Sequence, residues 1–354
     1  MDHSTREVYE KWAGEWARRR PPRYRDRARA FANRCLTDRP TVDLGCGPGS
    51  YFADLGRPLI GLEGASAMVA LAKRAAPDVL LVQGDLTALP FAPDRLGGAW
   101  ARASYVHVPR TALPAALAQL HAALALGAPL EMSLKAGTAE GPLAGDDFAG
   151  RFFAEWQADS LADVVLGAGF TLDRLIDDGE WLVVRATRAR SLPDFVGPGM
   201  RMLVCGLNPS VVAADAGFGY AGRTNRFWAA AEAAGLVTTP RRPLPSLVHD
   251  RVGMTDLVKR ATPRASELRQ EEYQAGAARV ARLVGWLEPG LTLFVGLTGW
   301  RMAIDRRAST GLQPDLFGGR PAYVMPSTSG ANAHASLVEL AGHLRVALGH
   351  AETA

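Results

Sequence analysis

The chain has 354 residues, 48% hydrophobic and 21% charged, the proportions of an ordinary globular protein, and that length predicts two domains. The net charge of +4 is mild; acidic and basic side chains balance over residues 1–190, so the excess lies in the C-terminal part and permits a polyanionic partner without demanding one. Cys35, Cys46 and Cys205 form no CxxC pair, which argues against a disulfide framework and against zinc or iron–sulfur sites; with no signal-peptide core and no apolar stretch long enough for a bilayer, a cytoplasmic protein without membrane association or metal is expected.

Residues 5–37 read as helices, entered through Ser4-Thr5-Arg6-Glu7. They carry a basic run, Arg18, Arg19, Arg20, Arg23, Arg25, Arg27 and Arg29, broken by Pro21-Pro22. The run is either a solvated helix face or a clamp for an acidic substrate. Strands are expected at 40–44, 58–62, 79–83, 96–101 and 129–134. Helices are expected at 50–55, 66–76, 112–125 and 160–168, and a terminal strand pair includes 181–186. Such alternation builds a parallel sheet covered by helices. Residues 191–199 hold two prolines and two glycines and read as a linker between a domain at 1–190 and another at 200–354. The second set runs strand from 202, helix 225–234, strand or loop 251–257, helix 271–286, strand 292–296, helix 300–304, strand 322–325 and helix 334–348. The fold class is therefore α/β, with two three-layer domains and no internal repeat.

In Val42-Asp-Leu-Gly-Cys-Gly-Pro-Gly49 a strand ends at Asp43 and the turn carries Gly45, Gly47 and Gly49. Glycines let a backbone approach a ligand closely, and a following helix start favours an anionic group. Glu63 ends the second strand, placed for a ribose hydroxyl pair, and Asp85 follows the third. Alone, such a turn fits dinucleotide binding as well. Together these features resemble the class I S-adenosylmethionine-dependent methyltransferases over about residues 5–190. The resemblance implies a Rossmann-like sheet and S-adenosylmethionine as cofactor. Gly45, Gly47 and Gly49 would lie against the methionyl part, Glu63 would hold the ribose, and Asp85 the adenine amino group. The acceptor is left open among small molecules, proteins and nucleic acids: Trp100-Ala-Arg-Ala-Ser-Tyr-Val-His-Val-Pro109 lacks both an Asn/Asp-Pro-Pro-Tyr segment and a Pro-Cys nucleophile. Tyr105 and His107 are candidates to line its pocket, or hold structural roles.

In the C-terminal part, Cys205-Gly-Leu-Asn-Pro-Ser210 is a strand running into Asn-Pro. Pro209 constrains Asn208 to extended geometry, holding a carboxamide where parallel sheets bind ligands. A Gly-rich loop follows, Gly217-Phe-Gly-Tyr-Ala-Gly-Arg-Thr-Asn-Arg-Phe-Trp228. Far downstream lies Met325-Pro-Ser-Thr-Ser-Gly-Ala-Asn332, a hydroxyl-rich turn expected at a helix start, where a phosphate would fit. These pieces resemble the mismatch-specific uracil/thymine-DNA glycosylases over about 198–350. The resemblance extends through Gly253-Met-Thr-Asp-Leu-Val258 and Leu293-Phe-Val-Gly-Leu297.

By that resemblance, the domain has a uracil-DNA-glycosylase-like parallel sheet. Asn208 would position the attacking water, with Ser327 as the second catalytic candidate beside phosphate and base. Tyr220 would stack on the flipped base, with Phe218 and Asn225 also at the base pocket. Ser329, Gly330, Ala331 and Asn332 would contact DNA and occupy the place of the wedge that fills the vacated stack. Some relatives carry a bulky Leu or long Arg in that wedge; here it is small, which adds single-stranded DNA, or another base, to mismatched duplex as candidate substrates. Arg223 and Arg226 are candidate phosphate contacts or surface cations, and Asp215 reads as a cap or surface charge. The expectation is a bifunctional enzyme: a DNA glycosylase behind a methyltransferase of unknown acceptor. The alternative is a methyltransferase acting on a small molecule or RNA, with the glycosylase fold as a nucleic-acid binding module.

Overall fold

Two helices, α1 (His3–Arg19) and α2 (Arg25–Ala32), lead into the first sheet. The structure is a computed structural model that describes residues 3–332 and 334–353. Its first unit comprises Met1–Leu166 and Phe170–Ala189, its second Gly167–Gly169 and Arg190–Ala354.

The first unit contains β1 (Thr41–Leu44), β2 (Leu59–Glu63), α3 (Ser66–Ala75), β3 (Leu80–Gln83), β4 (Gly98–Arg102), α4 (Leu113–Ala123), β5 (Pro129–Ala136), β6 (Glu140–Pro142), β7 (Phe152–Trp156), α5 (Ala158–Gly167), β8 (Phe170–Asp177) and β9 (Trp181–Arg188). Strands β3-β2-β1-β4-β5 run parallel. Strand β9 lies antiparallel on β5, β8 antiparallel on β9, and β7 pairs in parallel with the far end of β5. The carboxyl ends of β2, β1, β4 and β5 therefore share one edge, which is where open α/β sheets bind ligands.

The helix expected at 50–55 does not form; the segment is a series of turns. Gly49 (φ +78°) and Gly56 (φ +75°) are both left-handed, so the six residues between them are bounded at each end by backbone that cannot continue a right-handed helix. The basic run has a use that neither sequence reading foresaw. Arg25 and Arg29 both bind the buried Asp54, at 2.9 and 2.8 Å. Arg27, Arg34 and Arg185 surround Glu131, whose side chain is 3% exposed. Three arginines of the run, Arg25, Arg27 and Arg29, thus supply countercharge, which a buried carboxylate requires.

The second unit contains β10 (Met202–Gly206), α6 (Val211–Ala216), α7 (Phe227–Ala233), α8 (Pro243–Asp250), β11 (Val252–Asp256), α9 (Gln270–Leu287), β12 (Leu291–Val295), α10 (Leu297–Ala303), β13 (Gly311–Leu312), β14 (Ala322–Met325) and α11 (Leu337–Thr353). Order is β11-β10-β12-β14-β13, parallel except for β13. Alternation splits each strand between two cores. Met202 and Val204 join Phe227, Trp228, Leu340 and Leu344 on one face. Leu203 and Cys205 join Val280, Val284, Phe294 and Trp300 on the other. This is the expected mostly parallel α/β architecture, with helices on both faces.

The segment 191–199, expected as a linker, lies in the second unit with Leu192, Asp194 and Val196 buried. Asp194 binds Arg279 at 2.6 Å, Lys259 at 2.8 Å and the Thr255 hydroxyl at 2.6 Å. Burial acts to raise its pKa, but Arg279 and Lys259 more than offset that and hold it below the usual carboxylate range. Helix α11 begins three residues later than expected, capped by Ser336, whose hydroxyl accepts from Glu339 N. The turn at 326–332 is thus a loop and not a helix start.

Candidate active sites

The carboxyl edge of the first sheet opens into a cavity of about 370 Å³, within the size range of small-molecule sites. Its floor is the glycine turn after β1. Gly45, Gly47 and Gly49 all have left-handed φ, from +55° to +78°. A Cβ on Gly45 would come within 2.5 Å of Ser104 Cβ, so the turn admits no side chain there. Asp43 is 2% exposed and its Oδ2 has no hydrogen-bond partner. Burial, then the nearby Glu63, push its pKa up to about 8. Glu63 accepts from the backbone N–H groups of Gly47, Gly64 and Ala65 at 2.8–2.9 Å. Asp43, Gly45, Gly47 and Glu63 all line the cavity; Gly49 and Asp85 do not, although Gly84 and Leu86 do. Asp85 Oδ1 is turned to Thr87, accepting from its N–H and hydroxyl at 2.8 Å.

His107 lines the cavity and Tyr105 does not. Tyr105 is fully buried, and its hydroxyl has no partner. His107 Nδ1 lies 2.6 Å from the carbonyl oxygen of Phe152, which can only accept, so Nδ1 carries the proton. Its Nε2 then accepts from the Tyr9 hydroxyl at 2.9 Å, whose oxygen accepts from Arg151 Nη1 at 3.0 Å. Arg151 is held in turn by both carboxylate oxygens of Asp146. Burial pushes the His107 pKa down to about 4, so the ring is neutral at neutral pH. Tyr9, Asp146 and Arg151 were missed by sequence reasoning; they come from segments about 140 residues apart, and no local pattern joins them.

A second group sits at the same mouth. Arg102, the last residue of β4, has its guanidinium 4.4 Å from the Tyr24 ring and 4.6 Å from the Trp181 ring. One of its donors reaches Ser133 Oγ at 2.7 Å. Lys135 lies over the same indole at 5.5 Å.

In the second unit, Asn208 follows β10 as expected. Its Nδ2 donates to Arg260 O at 3.0 Å, Thr262 Oγ1 at 2.8 Å and Pro209 O at 3.1 Å. Two of these partners are carbonyls, so the nitrogen must face them and the orientation of the amide is fixed. The carboxamide oxygen is left as an acceptor. Ser210 caps α6 through Ala213 N.

Tyr220 takes a left-handed φ of +59° and stacks on Phe227 with centroids 4.1 Å apart. One ring face is therefore covered, and a base stacking on Tyr220 must use the other. Its hydroxyl is buried without a partner. A Cβ on Gly206 would collide with Asp256 Oδ1 and approach Tyr220 Oη to 3.1 Å, so two oxygens close over that glycine. Asp256 was not singled out in the sequence. Burial is the main cause that pushes its pKa up to about 6. Phe218 packs edge-on to Trp228, and Asn225 acts as a cap, its Oδ1 accepting from Phe227 N at 2.9 Å.

Ser327 stands beside Gly296 at the end of β12, with its carbonyl accepting from Asn332 Nδ2 at 2.8 Å. Arg226, a candidate phosphate contact, is instead a loop brace: it donates to the carbonyls of Ser329, Asn332 and Ala335. Ser329 Oγ accepts from Ala331 N, and Gly330 is pressed against Thr224, where a Cβ would collide with the hydroxyl. Arg223 is exposed. Asp215 forms a two-point ion pair with Arg190, both bonds at 2.7 Å, in line with a surface charge.

Residues 41–127 match the model of a methyltransferase domain, and residues 193–346 match that of the uracil DNA glycosylase superfamily. The chain carries both domains. Among solved structures, an S-adenosylmethionine-dependent methyltransferase from Methanosarcina mazei is 18% identical, covering 45% of this chain and 97% of its own (TM-score 0.40). One from Mesorhizobium loti is 20% identical over 46% and 96% (TM-score 0.38). The 1,6-didemethyltoxoflavin-N1-methyltransferase of Burkholderia thailandensis is 18% identical over 52% and 88% (TM-score 0.42). The cavity belongs to the methyltransferase domain, and Asn208, Tyr220 and Asp256 to the glycosylase-superfamily domain. No cluster of metal-ligating side chains occurs among the described residues, and no helix there is long and apolar enough to cross a membrane.

Proposed function

We propose that the glycosylase-superfamily domain hydrolyses the N-glycosidic bond of uracil or thymine in DNA. The observation that supports this most directly is the pinned carboxamide of Asn208. Its nitrogen is committed to Arg260, Thr262 and Pro209, so its oxygen is held ready to accept a hydrogen bond from a water and aim it. An amide is no strong base, so its contribution is orientation. The nucleotide must leave the stack to reach such a site, and stacking on the open face of Tyr220 would return about 1–3 kcal/mol. The water's oxygen bonds to the sugar carbon as the carbon–nitrogen bond breaks. The electron pair leaves with the base, and the water's proton passes to solvent. The small turn at Gly330-Ala331-Asn332 favours single-stranded or already mispaired substrates, which need least help in opening.

The test is base release from labelled oligonucleotides with G·U, G·T, A·U and single-stranded uracil, comparing wild type with Asn208→Ala. Release by wild type alone supports the reading. No release from any of them would sink it for these bases.

For the methyltransferase domain we propose S-adenosylmethionine as methyl donor. The cavity suits it: a glycine turn that excludes side chains, an orphaned carboxylate oxygen on Asp43, and Glu63 at the end of β2 for a hydroxyl pair. When bound, the cofactor would supply a sulfonium methyl group for transfer to an acceptor lone pair, with the thioether as leaving group. Glu63 lies beside the cation, and Asp43, protonated at neutral pH, would ionise as a cation is seated next to it. The His107–Tyr9–Arg151–Asp146 chain walls the cavity, and burial keeps His107 neutral. Titration with S-adenosylhomocysteine tests the assignment; absence of binding would remove it.

A further inference from the structure

The methyltransferase cavity is electrically polarised along the sheet edge. Glu63 ends β2 and Asp43 lies in β1; Arg102 ends β4 and Lys135 lies near the end of β5. With strands β2-β1-β4-β5 adjacent, the acidic pair occupies one side and the basic pair the other, about 5 Å per strand apart. The acidic side matches the cationic donor proposed above. The basic side has no assigned partner.

Arg102 and Lys135 are built to converge. Arg102 pairs in register with Ser133 and donates to its hydroxyl, and Lys135 lies two residues on, so it projects from the same face of β5. Both cations meet the Trp181 ring. Among the described residues Arg102 makes no ion pair. Lys135 has only Glu180 at 3.7 Å, whose side chain is 70% exposed while that of Lys135 is 14% exposed. The contrast with neighbouring arginines is informative. Arg151 in the same cavity is neutralised by Asp146, and Arg25 and Arg29 share Asp54. A cation walled in by rings and left without a tight counterion is expensive unless a ligand supplies one. The two ring centroids lie 4.4 and 4.6 Å from the Arg102 guanidinium carbon, and Ser133 takes one of its donors; a guanidinium has five donors, and two in parallel grip a carboxylate or phosphate.

We propose that the methyl acceptor is a small molecule with an anionic group, carboxylate or phosphate, seated on Arg102 and Lys135 against Trp181. This rests on the donor assignment made above, and its test separates the two. Protein loaded with S-adenosylhomocysteine is titrated calorimetrically with benzoate, phenyl phosphate and, as the uncharged control, benzamide. Benzoate or phenyl phosphate should bind and benzamide should not, and which anion binds tighter names the headgroup. Arg102→Met and Lys135→Met should each weaken the anion about tenfold or more, with S-adenosylhomocysteine affinity unchanged within about twofold. Arg102→Lys, which keeps the charge, should recover part of the loss. Equal binding of benzamide, no anion binding by wild type, or anion binding indifferent to both methionine variants would overturn the proposal. So would a tenfold loss of S-adenosylhomocysteine affinity in Arg102→Met, which would give the cation to the cofactor's own carboxylate. If wild type fails to bind S-adenosylhomocysteine, the donor reading falls, and the same anion titrations on unloaded protein still decide the role of Arg102 and Lys135.

Discussion

The two candidate sites sit at the carboxyl edge of similar sheets, yet they are organised by different forces. The methyltransferase cavity is an enclosure of ionisable side chains: Asp43, Glu63, Arg102, Lys135, Arg151 and Asp146 all face it. The glycosylase-superfamily site centres on a neutral amide, held by two backbone carbonyls and one hydroxyl. Charge steers and holds an ion but resists burial; backbone carbonyls carry no net charge and fix direction at small electrostatic cost. The first site is suited to binding charged small molecules. The second is suited to aiming one neutral water beside a polyanion, where an added carboxylate would repel the substrate.

Breaking the amide should have the largest effect. Asn208→Ala should reduce single-turnover base release by about a hundredfold or more, with DNA affinity retained. A comparable loss of affinity would mean that Asn208 serves binding and not water placement. Next comes the rigid floor of the other site. Gly45→Ala must fit a Cβ against Ser104 at left-handed φ, so it should cost about 1–3 kcal/mol of stability and abolish S-adenosylhomocysteine binding. Melting curves with and without ligand would read both effects. Sharper still for the comparison is Thr262→Val, which removes one of the three acceptors of Asn208 Nδ2 and leaves the carbonyls. Release should fall about fivefold, short of the alanine effect, because loss of one hydrogen bond is worth about 1 kcal/mol.

The smallest effect is a pH slope. The folded pKa of Asp256, about 6, stands above its ordinary value of 3.8. A raised acid favours the folded state below pH 4 and loses that contribution as pH rises through 6. Asp256→Asn cannot ionise. The melting midpoint of the variant relative to wild type should therefore climb by a few degrees between pH 4 and 7. A flat difference would show that Asp256 is solvated and ordinary.

Legibility in the sequence follows the range of the interactions. Glycine turns and Asn-Pro are local grammar, and Gly45, Gly47, Glu63 and Asn208 stand where the pattern put them. Strand 322–325 is readable because a short continuous apolar run, Ala-Tyr-Val-Met, is a local signal too. The turns at 50–55 were not, since the left-handed Gly56 that shortens the segment carries no helix-breaking signal stronger than the glycine already expected at a helix end. The His107–Tyr9–Arg151–Asp146 chain depends on pairing between distant segments, as does the pairing of Asp54 with Arg25 and Arg29 and of Glu131 with Arg27, Arg34 and Arg185. Arginine spacing alone cannot say whether a cation faces solvent, a ligand or a buried acid. Asp256 was readable as a strand terminus but not as a carboxyl sharing space with the Tyr220 hydroxyl.

The close fit of Gly330 against Thr224 bears on how this chain can change over evolutionary time. A bulky side chain at 330 would strike both the threonine hydroxyl and the backbone oxygen of 224, the latter at 3.1 Å. A single substitution to leucine at that position is thus a step onto a broken loop, whatever it would add in filling a vacated base stack. A smaller residue at 224 has to come first, and the loop must then ease outward. The order of changes is constrained, and lineages that already carry a large 330 should differ at 224 as well.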